Sequence, residues 1–166
     1  MEQHTEAAQL KLETLKKIVE GAKVAMLVTH SLNDNLVSRP MQLQEVEFDG
    51  DIWFLTRSDT NKYEEIQKNP KVNVVIADKS YASIAGTAEI VNDPARQEQY
   101  WSKAYEAMFD LQANDPLIKL IKINAESAEY WDTGATVKSV FNFVKKVVGQ
   151  EEPVEPGKNT NETLEL

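Results

Sequence analysis

The sequence of 166 residues contains no cysteine, only three arginines and only two histidines. The absence of cysteine excludes disulfide bonds, thiolate metal sites and cysteine nucleophiles together. His4 and His30 are too far apart in the sequence to give the spacing of a metal-ligand pair. No window approaches about eighteen consecutive apolar residues, and no Gly-rich phosphate loop or nucleophile elbow is present. The usual signatures of metal, thiol and nucleotide-loop chemistry are therefore missing.

Basic residues are also scarce relative to acidic ones. The chain has 18 lysines and arginines against 27 aspartates and glutamates, which gives a net charge of −9. A field of this sign repels phosphate backbones and anionic lipid surfaces, so nucleic acid and membranes are poor candidates as partners. Hydrophobic residues make up 42%, close to the globular average, and we expect one folded domain. The first seventeen residues carry three glutamates and no apolar signal-peptide core, from which we expect a soluble cytoplasmic protein.

Apolar and turn residues predict a mainly β chain with helices between its strands. An amphipathic helix is predicted from Thr5 to Glu20, because apolar residues recur there every three or four positions. Asp49-Gly50 predicts a tight hairpin between the second and third strands, so that three antiparallel strands follow one another. The almost continuous apolar run at 72–77 predicts a central strand buried on both faces. The predicted strands lie at 23–30, 36–48, 52–56, 72–77, 81–91 and near 118–123.

Three further helices and an acidic tail complete the predicted organisation. One helix spans 59–69 and ends before Pro70, and the last covers 137–148. Between them, a helix that begins at Asn92 or Asp93 presents one face of apolar residues, namely Tyr100, Trp101, Ala104 and Met108. Residues 150–166 contain five glutamates and two prolines without apolar periodicity. We therefore expect a folded domain at 1–149 followed by a disordered tail at 150–166.

The predicted strands outnumber what two helices could cover as an open sheet. A small antiparallel barrel with peripheral helices is the predicted architecture, and an open α+β sheet is the alternative. The tail carries −4 of the net charge of −9, which leaves −5 for residues 1–149. The acidity of the chain is thus partly a property of its tail.

The few arginines point to one candidate anion site. Arg39 and Arg57, together with Lys62, fall between the second predicted strand and the first turn of the helix after the third. A helix N-terminus offers unpaired N–H groups and a positive dipole end, and the segment 56–60 before it adds three hydroxyls. The alternative is that these side chains cap the helix and are solvated, and spacing alone favours this alternative. The pairs Glu64-Glu65 and Glu45-Glu47 are interpreted as solvated surface.

Several short motifs occur here in the order seen in a known family. They are Ser38-Arg39-Pro40-Met41 on one strand, Trp53-Phe54-Leu55-Thr56 on the next, Lys62 in the following helix, Asn69-Pro70 after it, and a late Tyr130-Trp131-Asp132. In this order and spacing the chain resembles the FMN-binding split barrels of the pyridoxamine 5′-phosphate oxidase-like superfamily. More narrowly, it resembles the bacterial general stress protein 26 subgroup. The resemblance runs from the opening helix to about Trp131.

The resemblance implies a six-stranded Greek-key split barrel that forms a homodimer and holds FMN at the subunit interface, with FAD as the alternative flavin. It implies that Arg39 and Lys62 meet the flavin phosphate or the polar ring edge, and that Pro40 and Met41 run beside the isoalloxazine. Trp131 would line the flavin pocket. The full set that it assigns to the cofactor is Ser38, Arg39, Pro40, Met41, Leu55, Thr56, Arg57, Ser58, Lys62 and Trp131.

The chain departs from the pyridoxamine phosphate oxidases themselves after Trp131. Those enzymes carry a basic C-terminal segment that recognises the substrate phosphate, whereas Asp132-Thr133-Gly134 and a valine-rich stretch follow here. This departure argues against oxidation of pyridoxamine phosphate. Three functions stay open: an FMN-dependent oxidoreductase of a small molecule, a flavin-binding stress or sensor protein without turnover, and a split barrel that uses another cofactor such as a deazaflavin or haem.

Overall fold

A computed structural model describes residues 2–132 and 161–166 of the chain. Four helices and seven strands lie in these ranges. In chain order they are α1 (Glu2–Gly21), β1 (Val24–His30), β2 (Leu36–Gln42), β3 (Asp51–Arg57), α2 (Asn61–Lys68), β4 (Lys71–Ala77), β5 (Tyr81–Val91), α3 (Pro94–Tyr100), α4 (Lys103–Phe109), β6 (Ile118–Trp131) and β7 (Asn161–Glu165).

The strands form one antiparallel sheet in the order β2-β1-β4-β5-β6-β3, and β7 is added beside β6. The long strand β6 pairs with β5 from Leu120 to Trp131, while its first half also pairs with β3 and its second half with β7. The end strands β2 and β3 approach within 8 Å between Cα atoms but share no hydrogen-bonded ladder. The predicted class, a mainly antiparallel split barrel with peripheral helices, is confirmed. The sheet is not closed, and it has seven strands rather than six.

The predicted hairpin at Asp49-Gly50 is wrong, although the chain does turn there. Gly50 has φ +107°, but β3 pairs with β6 instead of β2. The extended run ends at Gln42 rather than Phe48, because the next residues leave the sheet to bury apolar side chains. Leu43 and Phe48 both join the core, and Glu20 accepts a hydrogen bond from the Phe48 amide at 3.0 Å. Burial of this connection therefore overrides the local turn signal.

The main core lies inside the curved sheet, where one face of each strand meets helices α1 and α2. Leu15 and Val19 of α1 and Ile66 of α2 pack against the inward residues of β1, β4 and β5. Strand β4 alternates between buried and partly exposed residues, so its predicted burial on both faces is wrong. That property belongs to β3, where residues 52–56 are all buried because a second apolar layer covers its outer side.

This second layer comes from the helices after β5. Asp93 caps α3 as predicted, since its carboxylate accepts a hydrogen bond from the Arg96 amide at 3.0 Å. The single predicted helix is divided at Trp101, whose extended backbone (φ −69°, ψ 141°) separates α3 from α4. The predicted apolar face is correct at Tyr100 and Trp101, which pack on this layer. It is wrong in α4, where Tyr105 is buried while Ala104 and Met108 are exposed. The layer packs on Trp53 and Leu55.

The expected disorder of the C-terminal tail is wrong for its last residues. Strand β7 pairs with β6 from Asn161 opposite Trp131 to Glu165 opposite Ser127. Leu164 packs against the main core, which gives this short strand an apolar anchor. The rest of the expected tail and the predicted helix at 137–148 lie outside the described residues. Within the described ranges, no helix is both long and apolar enough to cross a membrane.

Candidate anion-binding site

The motif Ser38-Arg39-Pro40-Met41 occupies the edge strand β2, where its residues alternate between two faces. Arg39 and Met41 lie on the less exposed side, and Ser38 and Pro40 are exposed on the other. Pro40 is tolerated because one side of an edge strand needs no amide donor. The four residues that the resemblance assigns to the cofactor are therefore divided between an inner and an outer surface of the sheet.

Arg39 is held by a closed hydrogen-bond network with Glu65 and Thr29. Its Nη2 donates to Glu65 Oε2 at 2.9 Å, and its Nη1 donates to Thr29 Oγ1 at 2.6 Å and to the Leu27 carbonyl at 3.3 Å. The Thr29 hydroxyl in turn donates to the same Glu65 oxygen at 2.7 Å. This network joins β1, β2 and α2 at one point.

The prediction that Glu65 belongs to a solvated acidic face is wrong. Glu65 is 6% exposed, whereas its neighbour Glu64 is exposed as predicted. Lys62 precedes Glu65 by three positions, so the two side chains share one face of α2. The three-residue spacing from Lys62 and the neighbouring apolar Ile66 were the signals in the sequence that Glu65 faces inward. The hydrogen-bond partner of Glu65, Thr29, lies on strand β1, thirty-six positions away in the chain. A local sequence pattern cannot reveal a contact between residues so far apart.

Lys62 is the cation of this region that has no partner among the residues that the structure describes. It is half-buried in the first turn of α2 and makes no hydrogen bond or ion pair with any described residue. Burial lowers the pKa of its ammonium group below 10.5, and the nearby Arg39 charge lowers this pKa further. Glu65 and Asp59 act in the opposite direction and raise it. An anion brought to Lys62 would therefore meet a positive charge that no residue within 2–132 or 161–166 pairs with directly.

Arg57 is already paired within the chain. Its Nε and Nη2 donate to the two oxygens of Asp59 at 2.9 and 2.7 Å, and its Nη1 donates to the Phe109 carbonyl at 3.1 Å. The hydrogen bond from Arg57 lowers the pKa of Asp59. Thr60 donates its hydroxyl to the Arg57 carbonyl at 2.8 Å, which fixes the turn before α2. Arg57 is therefore satisfied without a ligand.

The remaining predicted residues lie in three different environments. Thr56 is fully buried, and Leu55 packs in the apolar layer outside β3. Ser58 is half-buried just before α2, and its amide donates to the Leu117 carbonyl at 2.7 Å. Trp131 lies at the far end of β6 from Ile118, the residue that pairs with Arg57, so one chain does not bring it to Arg57.

The residues at the start of α2 fit a phosphate group. Lys62 provides an ammonium group that is unpaired within the described part of the chain, and Arg39 adds a second cation close enough to affect the pKa of Lys62. The N-cap residue Thr60 forms no side-chain hydrogen bond to the first turn, which leaves amide donors of that turn without a side-chain acceptor. Phosphate esters bind at helix N-termini of this kind when a cation is also present.

Comparison with known proteins assigns the family. The sequence model described as "Pyridoxamine 5'-phosphate oxidase like" matches residues 11–154. This chain belongs to the pyridoxamine 5′-phosphate oxidase-like family. The match begins within α1 and covers every described strand except β7. The resemblance inferred from the motif order is therefore confirmed.

Individual relatives agree with the narrower subgroup. General stress protein 26 of Bacillus subtilis is 29% identical over 89 residues, which is 50% of this chain and 63% of the Bacillus protein. The alignment thus spans less than two thirds of that relative. A crystal structure of a putative general stress protein 26 from Jannaschia sp. CCS1 covers 96% of this chain and 99% of its own, with 23% identity and a TM-score of 0.74.

A second crystal structure, from Nostoc punctiforme, is described as a pyridoxamine 5′-phosphate oxidase-related, FMN binding protein. It covers 78% of this chain and 82% of its own, with 16% identity and a TM-score of 0.55. At these identities the two crystal structures establish the shared fold.

Proposed function

We propose that this chain is an FMN-binding protein whose flavin phosphate binds at the start of α2. The observation that carries the proposal is Lys62, a half-buried ammonium group without a partner among the described residues, beside a second cation in Arg39. An unpaired, partly desolvated charge is costly unless a ligand neutralises it. The family and the FMN-binding relative from Nostoc punctiforme support a flavin as that ligand.

Titration of the apoprotein with FMN tests this proposal. We expect quenching of flavin fluorescence that saturates at tens of micromolar or below, and a shifted flavin absorption band in the complex. FAD in the same titration tests the alternative flavin. The absence of quenching by either compound at tens of micromolar would refute the proposal.

The outer face of the sheet supports a homodimer as part of this function. Tyr81 pairs with both Ala77 and Trp131, and Val24 lies on the same outer face at the start of β1. Val24, Tyr81 and Trp131 are 53%, 41% and 40% exposed. Soluble monomers seldom expose neighbouring apolar side chains in this way. Pro40 lies on this face as well, opposite Met26. A second copy seated here would cover Pro40 and Trp131 together, and these are two of the residues assigned to the flavin.

Replacing Val24 with lysine should therefore convert the protein to a monomer. Val24 is mostly exposed in the single chain, so the substitution should leave the fold intact while placing a charge in the proposed interface. Met108→Lys is the matched control, because Met108 is 60% exposed on α4, which packs against β3 and the start of β6 rather than on the strands of the proposed interface. Light scattering should give a dimer for wild type and Met108→Lys. A wild-type monomer with flavin bound would contradict the proposed dimer.

Reduction by a nicotinamide separates an enzyme from a binding protein. Bound FMN would supply hydride and electron transfer, so the protein need only bind it and shape a pocket. We propose a flavin-dependent oxidoreductase of a small molecule, and the matching result is bleaching of the bound flavin by NADH or NADPH without oxygen. A flavin that neither nucleotide reduces would instead indicate a binding or sensing role.

A further inference from the structure

Glu65 places a negative charge inside the proposed phosphate site. Its carboxylate is buried, lies 2.9 Å from Arg39 Nη2, and also accepts the Thr29 hydroxyl. It is close enough to Lys62 to raise the pKa of that ammonium group. A carboxylate in this position already pairs with Arg39, as a bound anion would. It also repels any further anion that approaches the two cations.

The Arg39 guanidinium retains donors in spite of this pairing. It has five N–H groups, and it forms three hydrogen bonds in the described structure, two through Nη1 and one through Nη2. Its Nε–H and one Nη2–H have no acceptor among the described residues. The side chain is 23% exposed, so these donors remain within reach of a ligand. With Glu65 ionised, Arg39, Lys62 and Glu65 carry a combined charge of +1.

We propose that Glu65 sets the strength of phosphate binding at this site by offsetting the charge of Arg39. This inference rests on the proposed function. The carboxylate holds Arg39 in place, and at the same time it weakens the attraction of the site for a dianionic phosphate. Removing the charge while keeping the shape of the side chain should raise the affinity for phosphate. A purely structural role for Glu65 predicts no such increase.

The test compares FMN with riboflavin, which lacks the phosphate. We define the FMN preference as the Kd for riboflavin divided by the Kd for FMN. Glu65→Gln keeps the length of the side chain and an oxygen that accepts from Thr29 and Arg39. We expect it to raise the FMN preference at least about threefold, since a charge of −1 beside the phosphate is lost. Glu64→Gln removes the same charge from the exposed neighbouring position and should leave the preference within about twofold, because solvent screens it.

The outcomes separate this inference from the proposed function. A wild-type protein that binds neither flavin refutes the proposed function itself. A wild-type protein that prefers FMN, combined with an unchanged or lower preference in Glu65→Gln, overturns the role of Glu65 alone. An increase of equal size in Glu64→Gln would also overturn it, because the effect would then come from the overall charge of the helix.

A second variant keeps the test decisive if Glu65→Gln does not fold. The double substitution Arg39→Gln/Glu65→Gln replaces the ion pair by a neutral hydrogen-bonded pair, so neither member is left as a buried charge without its partner. Because the two charges offset each other, the FMN preference should fall by no more than about threefold. A loss of about tenfold or more would overturn the inference, since Arg39 would then act on the phosphate without being offset by Glu65.

Discussion

Replacing Lys62 with glutamine should weaken FMN binding about tenfold or more and leave riboflavin binding within about twofold of wild type. A charge-assisted hydrogen bond to phosphate is worth more than about 1.4 kcal/mol, the equivalent of tenfold in Kd. Lys62 forms no competing hydrogen bond or ion pair with the described residues, so its loss should cost little folding stability. The measurement is a pair of fluorescence titrations for each variant.

Lys68→Gln is the control for this prediction. Lys68 lies on the same helix, but at its exposed last turn, where its Nζ donates to the Leu32 carbonyl at 3.0 Å. The substitution changes the net charge equally, so long-range effects on flavin binding should be the same in both variants. Equal losses in the two variants, or equal losses of FMN and riboflavin in Lys62→Gln, would show that Lys62 does not contact the phosphate.

Replacing Gly86 with alanine should reduce the free energy of unfolding by about 3 kcal/mol, because the added methyl group has no space. Gly86 lies at an irregularity in the β5–β6 pairing, where the register shifts between Ala85 and Gly86. A Cβ atom placed there would clash with the carbonyl oxygen of Asn124, a backbone atom that cannot move without disturbing β6. The two longest strands would then separate locally, and the inward residues of both would lose packing.

Gly21→Ala is the matched control for Gly86→Ala. Gly21 ends α1, and no atom lies within 4 Å of the position that its Cβ would occupy. Alanine there should be neutral or stabilise the protein by up to about 1 kcal/mol, since glycine loses more backbone entropy on folding. Urea unfolding followed by tryptophan fluorescence gives both values. A Gly86→Ala variant as stable as Gly21→Ala would show that β5 and β6 do not approach each other as described.

Local sequence patterns predicted most elements of this fold but not the partners of its strands. The helix cap at Asp93 and the end of α2 before Pro70 depend on neighbouring residues, and both were correct. The hairpin at Asp49-Gly50 failed because β3 pairs with β6, more than sixty positions further along the chain. The helix predicted across Trp101 is divided there, because Trp101 takes an extended backbone and Ser102 begins a new helix as its N-cap.

The candidate site shows the same division between local and distant information. Lys62 could be identified from its place in a motif and at a helix start. The partners of Arg39 could not, because Glu65 and Thr29 come from other elements and meet it only in the folded sheet. Glu65 is one of two adjacent acidic residues, a pattern typical of solvated surface, and only the structure shows that it is buried. The net charge of −9 likewise disfavours long polyanions without describing this local pair of cations.

The FMN preference of the wild-type protein tests the central claim most directly. If the phosphate of the flavin binds at Lys62, riboflavin should bind at least about tenfold more weakly than FMN, a difference of roughly 1.4 kcal/mol. The preference should also decrease as salt concentration rises, because part of it is electrostatic. Equal affinities for FMN and riboflavin would contradict the account, since the start of α2 would then have no part in holding the flavin.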